Sequence, residues 1–302
     1  MRSKSEIRMP KSERNPKPEQ RTTHLPQPGA GSDFGVRASI GFRISDFGFR
    51  LDFLLLVLCC CDSFAAAPRV LVYQRNGKGF VHDNLAASAA AIQELGKQNG
   101  FDVEASTNPA VFTDGNLKQY RALVFANSNN EAFDNDEQRA AFQRFIRAGG
   151  GFVGIHSSTG SERQWDYFQQ LQGAKFLRHS PLQKFTVNVV DSKHPATAHL
   201  AATWKWEDEC YFFTNLNPRI RVLLAADTTT LKDAKLTTAP GGQLKGVFPL
   251  AWSHEFDGAR VFYTSLGHKI AYYSDPDFRK HLLGGIRWVM GDTNAITNLN
   301  RP

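Results

Sequence analysis

Short apolar runs that stop at polar or glycine residues, and that alternate with helical stretches, constrain this chain more than any other feature. Residues 69–74 (RVLVYQ), 122–126 (ALVFA) and 152–155 (FVGI) are mostly apolar and too short for helices, which suits strands covered on both faces. Between them, 84–98 sets Leu85, Ala89, Ile92 and Leu95 at helical spacing and halts at Gly100, a residue that tolerates the turn at a helix end. Residues 101–106 read as a further strand. Residues 135–148 read as a helix with Phe142, Phe145 and Ile146 on one face, closed by the glycines at 149–151. This rhythm predicts one α/β domain over 68–291, with a mostly parallel central sheet and helical crossovers. The second half is richer in β structure, with strand patterns at 185–190, 221–225, 249–252 and 260–265. A closing helix spans 275–290, and Pro276 suits its first turn. Residues 292–302 form a tail.

Ligands bind such sheets beyond the carboxyl ends of the strands. The segments after Gln74, Ala126 and Ile155 are therefore the places to look. Several histidines fall at such ends or in loops: His82 after the first strand, His156 after the fourth, His179, and His268 after the run 260–265. Imidazole binds metals, moves protons near neutral pH and hydrogen-bonds hydroxyls, so the group points to a site without naming its chemistry. Taken singly, each is equally well read as a hydrogen-bonded structural histidine. His194 before Pro195 reads as a rigid turn, and His254 and His281 as structural or surface residues.

The turn at 154–158 has the strand-turn-helix form that exposes a nucleophile in α/β enzymes, usually Gly-x-nucleophile-x-Gly. Here His156 takes the central place, Ser158 replaces the closing glycine and Ser157 is one step off. Serine-hydrolase catalysis is disfavoured, although Ser157 can hydrogen-bond a ligand. Residues 207–213 (EDECYFF) read as an aromatic strand with Glu207 and Glu209 on one face and Asp208 on the other. A carboxylate beside aromatic walls can act as acid or base, which makes Glu209 a candidate, with the solvated edge strand as the plainer reading.

Other classes are disfavoured. The formal charge is +7, but ten Lys/Arg against seven Asp/Glu lie in residues 1–66 and 26 against 22 in the rest, without a basic run. That is no footprint for nucleic acid. The body holds one cysteine, Cys210, which reads as a packing residue and cannot form an internal disulfide. No helical His-x-x-x-His and no Cys-x-x-Cys occurs in the body. No metal or cofactor is expected from spacing, although dispersed histidines can assemble a site. The glycine motifs that cradle nucleotide phosphates are absent.

Residues 1–50 read as a disordered leader, polar and proline-rich. From Arg50, an apolar run to Cys61 interrupted by Asp52, then Ala65-Ala66-Ala67, carries the three parts of a secretory signal. The segment 51–67 is too short for a comfortable membrane span. The expectation is a true start nearer residue 50, cleavage near Ala67 and a periplasmic or secreted product. The plainer reading is a chance apolar patch. Oligomeric state is not readable.

The motifs at 149–157 (GGGFVGIHS), 194–200 (HPATAHL), 249–252 (PLAW), 258–268 (GARVFYTSLGH), 273–279 (YSDPDFR) and 282–288 (LLGGIRW) resemble the ThuA-like, or trehalose-utilisation, family. The resemblance covers about 69–291. It implies a flavodoxin-like three-layer sandwich of the class I glutamine amidotransferase-like superfamily, and a link to trehalose or related disaccharide metabolism. It marks His82, His156, Ser157, His179, Gln183, Glu209, Trp252 and His268 as pocket residues. The amidotransferase cysteine has no counterpart, which argues against glutamine hydrolysis. The segment 159–164 (TGSERQ) lacks the acidic and aromatic residues usual there, which implies a different substrate range.

Three readings follow. One is an enzyme acting on a sugar or oxidised sugar by hydrolysis or isomerisation, with His156 or His268 as acid/base, Glu209 as partner, and Trp252 and Tyr211 as stacking walls. Another is a non-catalytic carbohydrate-binding module. The third is a histidine-carboxylate metal hydrolase.

Overall fold

A computed structural model describes residues 66–237, 242–244 and 246–292. The leader, the tail beyond residue 292 and all but the last two residues of the signal-like segment lie outside the described residues.

The first half alternates as its periodicity predicts, with one short helix, α2, that it did not: β1 (Arg69–Tyr73), α1 (Leu85–Asn99), β2 (Asp102–Ser106), α2 (Asp114–Leu117), β3 (Ala122–Ala126), α3 (Asp136–Arg147) and β4 (Gly151–Ile155). Then come α4 (Asp166–Gln172), β5 (Lys175–His179), β6 (Gln183–Val189), β7 (Thr203–Asp208), β8 (Tyr211–Thr214), β9 (Arg221–Ala226), β10 (Phe248–Phe256), β11 (Ala259–Thr264) and α5 (Pro276–Met290). Nine strands form the main sheet in the order β2-β1-β3-β4-β11-β10-β9-β6-β7, and β5 pairs with β8 apart from it. Strands β2, β1, β3, β4 and β11 are parallel, in the flavodoxin order with β11 as the fifth member. The remaining pairings, from β11–β10 to β6–β7, are antiparallel.

Alternation along each strand feeds two cores. Val70 and Val72 face α1 and α5 with Ile92, Val124, Val153, Phe262, Leu282 and Ile286. Leu71 and Tyr73 face the other layer with Phe125, Phe142, Phe152 and Phe168. Layers of helix, sheet and helix result, since each face must be covered. α5 lies close on the sheet, because a Cβ at Gly285 would meet the Phe262 ring at 2.3 Å. His281, read from sequence as structural or surface, is fully buried on α5, and its Nδ1–H donates to the Ala196 carbonyl at 2.8 Å. His194 is buried too, stacked on Phe262, as a rigid turn requires. Among the described residues no helix is long and apolar enough to cross a membrane.

One expected strand is broken. Residues 207–213 are not continuous: β7 ends at Asp208, β8 begins at Tyr211, and the chain leaves the main sheet between them. Glu207 is consequently outside, paired with Lys269 at 2.9 Å. Asp208 is wholly buried.

Candidate functional site

Three parallel strands deliver histidines to one edge. His82 comes from the loop after β1, His156 from the residue after β4, and His268 from the turn after β11. The break between β7 and β8 adds Glu209. His82 Nε2 lies 3.1 Å from His156 Nε2, and His268 Nδ1 lies 3.3 Å from the same atom. Glu209 Oε2 is 3.4 Å from His268 Nδ1 and 3.8 Å from His156 Nε2. Its Oε1 is 3.4 Å from His179 Nδ1, at the end of β5. His82, His156, His268 and Glu209 each offer one ligand atom, all within 4.8 Å of one another. Spacing in the sequence had pointed to no metal site. Tertiary structure nevertheless assembles a donor set that can hold one, from segments 186 positions apart.

Backbone strain and hydrogen bonds hold this arrangement. His156 adopts φ 51°, a left-handed conformation costly for a side chain with a Cβ. The Tyr263 hydroxyl donates to the His156 carbonyl at 2.7 Å and secures the turn. His156 Nδ1 meets the Ser265 carbonyl at 2.7 Å. A carbonyl only accepts, so Nδ1 carries the proton and the neutral ring keeps its lone pair on Nε2. The Gly267–His268 turn is clamped: Asn84 Nδ2 donates to both carbonyls at 2.7 Å, and the Gly267 N–H donates to Asp208 at 2.9 Å. Gly267 has φ 123°, and a Cβ there would meet the Tyr273 hydroxyl at 2.9 Å.

Burial sets the charge states. It holds His156 well below the usual imidazole range, helped by the like charge of His82. Burial also lowers His82 to about 4, helped by His268. Both rings are neutral near pH 7, so each keeps a lone pair on one ring nitrogen. Burial pushes Asp208 up to about 7, against the pull of N–H donors from Gly267, Trp206 and Glu209. Asp208 and Asn84 are positioning residues that the sequence reading missed. Asp208 stands between Glu207 and Glu209, and Asn84 follows His82 and Asp83, so neither stood out from its polar neighbours.

Two of the cluster, His82 and Glu209, line a cavity of about 320 Å³ together with Phe80, Asn129, Ser157, Gly160, Arg163, Phe176, His179 and Tyr211. That volume lies at the small end of ordinary ligand sites. Asn129, Arg163, Phe80 and Phe176 were not foreseen. They lie on loops and on β5, where periodicity carries no signal. A wider groove of about 720 Å³ adjoins at Arg163, but no cluster of imidazoles converges in it.

Several candidates take other roles. Trp252 is fully buried; its indole N–H donates to the Gln172 carbonyl at 2.9 Å and its ring packs on Phe213 and Tyr263. It is core, because β10 is covered on both faces. Gln183 is also outside the cavity, tying Pro181 and Lys232. Tyr211 lines the cavity, but its hydroxyl reaches His156 Nε2 at 3.0 Å, so it is a hydrogen-bonding group rather than a stacking wall alone. His156 has no exposed surface and cannot exchange protons freely with a ligand, whereas Glu209 and His179 line the cavity. Ser157 Oγ lies 3.3 Å from His82 Nδ1. The other His82 nitrogen faces His156, not a carboxylate, so no serine triad forms. Cys210 is buried with its thiol pushed up by burial, as a packing residue.

A flavodoxin-like sheet with a histidine-carboxylate pocket at its carboxyl edge, and no nucleophile in the elbow, defines an amidotransferase-like fold without the amidotransferase centre. The chain belongs to the ThuA family, described as trehalose utilisation, which matches residues 69–289. A ThuA-like protein from Bacteroides uniformis shares 25% identity at TM-score 0.59, covering 75% of this chain and 93% of that one. Another from Parabacteroides merdae shares 19% at TM-score 0.57, covering 74% and 90%. A cytoplasmic protein from Salmonella typhimurium shares the fold at 11% identity and TM-score 0.53, covering 73% and 98%. No curated protein matches the chain.

Proposed function

We propose that this chain binds a trehalose-related sugar in its oxidised, keto form, and catalyses proton transfer next to the carbonyl, the step shared by isomerisation and elimination. One observation carries the reading. Glu209 is the one carboxylate lining the cavity among the described residues, and it stands beside the buried, neutral imidazoles of His82 and His156. Direct glycoside hydrolysis ordinarily uses two carboxylates about 5–10 Å apart across the sugar. Removing a proton alpha to a carbonyl needs one base and an electrophilic group on the carbonyl oxygen. Glu209 takes the proton, with His179 as its partner at the cavity mouth. Arg163, a cation lining the same cavity, faces the developing oxyanion. Phe80 and Phe176 flank the apolar face of the ring.

Export remains part of the proposal. Cleavage near Ala67 would leave β1, which begins at Arg69, intact.

Incubation of the protein with trehalose and its keto derivative in deuterated water, followed by NMR, tests this. Deuterium should enter next to the carbonyl of the keto-sugar, and Glu209→Gln should slow exchange by about 10²–10⁴-fold. Binding without exchange would instead make the chain a carbohydrate-binding module. No binding of either sugar would defeat the reading.

A further inference from the structure

We propose that His82, His156, His268 and Glu209 form the binding site of one divalent transition-metal ion of the zinc class, set in the floor of the pocket. The first support is that hydrogen bonding does not account for the cluster. His156 Nε2 has three polar neighbours: the Tyr211 hydroxyl at 3.0 Å, His82 Nε2 at 3.1 Å and His268 Nδ1 at 3.3 Å. Its Nδ1 proton is committed to Ser265, so Nε2 offers a single in-plane lone pair. One lone pair serves about one donor. Tyr211 can supply it, and the two remaining nitrogens then crowd an occupied acceptor. A cation shared by the three imidazoles removes that conflict.

Distances supply the second support. Zinc bonds nitrogen and oxygen at about 2.0–2.2 Å in tetrahedral sites, which sets neighbouring donors about 3.3–3.6 Å apart by tetrahedral geometry. Four of the six donor separations, 3.1, 3.3, 3.4 and 3.8 Å, bracket that span, and all six lie within 4.8 Å, so closing on an ion needs a shift of about an ångström in the widest pairs. The third support is the surroundings. His156 Nδ1 is fixed on a backbone carbonyl, and His82 Nδ1 lies at Ser157 Oγ, the outer contacts that fix the tautomer of metal-bound histidine. Three imidazoles with one carboxylate suit zinc, cobalt, nickel or iron rather than magnesium or calcium, which take oxygen ligands.

The inference does not depend on the ligand being a sugar. With the proposed function, it assigns the ion the task of polarising the substrate's carbonyl oxygen, with Glu209 Oε2 toward the ion and Oε1, beside His179, left to take the proton. That would bring the third reading's metal together with the first reading's substrate.

The full chain, expressed without a histidine tag, should retain about one zinc per chain on dialysis, measured by plasma mass spectrometry. After chelation, added cobalt should give visible absorption of the intensity that tetrahedral sites give, which the colourless d10 zinc form lacks. His268→Ala and Glu209→Gln should each weaken zinc at least about 10-fold in competition with a chromogenic chelator. His199→Ala, outside the cluster, and a variant with serine for Cys59, Cys60 and Cys61 should bind as the parent does. Circular dichroism checks folding. Glu209→Gln, which conserves volume, decides the matter if His268→Ala misfolds. No retained metal and no saturable binding of zinc or cobalt, or equal affinity in parent and Glu209→Gln, would overturn the inference. Calorimetry with the keto-sugar on loaded protein separates the two proposals: zinc held but no sugar bound keeps the metal and defeats the substrate.

Discussion

The parallel and antiparallel halves of the sheet contribute differently to one pocket. In the parallel half, every strand ends on the same edge, so His82 and His156 arrive there by topology, and β11 brings His268. Antiparallel strands end on alternate edges and cannot deliver side chains this way. The antiparallel half contributes by leaving the sheet: the break after Asp208 swings Glu209 and Tyr211 over the histidines, and β5 adds His179. The regular half thus supplies buried imidazoles, and the irregular half supplies the carboxylate and the mouth. If this division is real, damage to the first should cost stability, and damage to the second should cost ligand.

The largest effect expected is from Phe152→Ala in β4. The ring is fully buried and lies 5.2 Å from that of Phe125 and 5.9 Å from those of Phe142 and Phe168. Its loss should cost about 3–5 kcal/mol in denaturant unfolding, with zinc affinity of the folded fraction unchanged. A cost under about 1 kcal/mol, well below that range, would break the comparison.

Acid sharpens it next. Burial lowers His281 on α5 to about 3, against about 6.5 when unfolded. The unfolded chain therefore binds a proton that the folded chain refuses. The His281 contribution is complete above pH 6.5 and falls by about 1.4 kcal/mol per pH unit as pH drops toward 3. Melts from pH 7 to 4 should show this limb, and His281→Leu should flatten it. Equal slopes in the two proteins would contradict the assignment.

Asp208→Asn should be the mildest for stability, about 1–3 kcal/mol, because an amide nitrogen would face N–H donors where an oxygen accepted them. Its site effect should be larger in kind: the Gly267–His268 turn and Glu209 lose a shared anchor. Zinc affinity should fall at least about 10-fold. Parent-like affinity would mean that the antiparallel half does not shape the site.

The same division governs how much could be read in advance. Apart from the short α2, which gave no periodic signal, the strands and helices of the parallel half lie within a residue or two of their periodicity, and for β1, β3 and β4 the reason is that burial on both faces leaves an uninterrupted apolar run. The strand ends of His82, His156 and His268 followed from those runs. Glu209 was identified through its aromatic neighbours, on the premise of a continuous strand that turned out to be broken. Trp252 and Gln183 were carried from resemblance and lie outside the cavity. β5, α4, Asn84 and Asp208 gave no periodic signal.

Sequence by itself determined the layered α/β architecture, the family, and the edge where chemistry would gather, since periodic apolar burial is a local property written along the chain. Only tertiary structure decided that three imidazoles and a carboxylate, from 82 to 268, would point at one spot. Convergence of that kind depends on strand order, on the left-handed turn at His156 and on the break after Asp208. Each of these is set by contacts between segments distant in the chain.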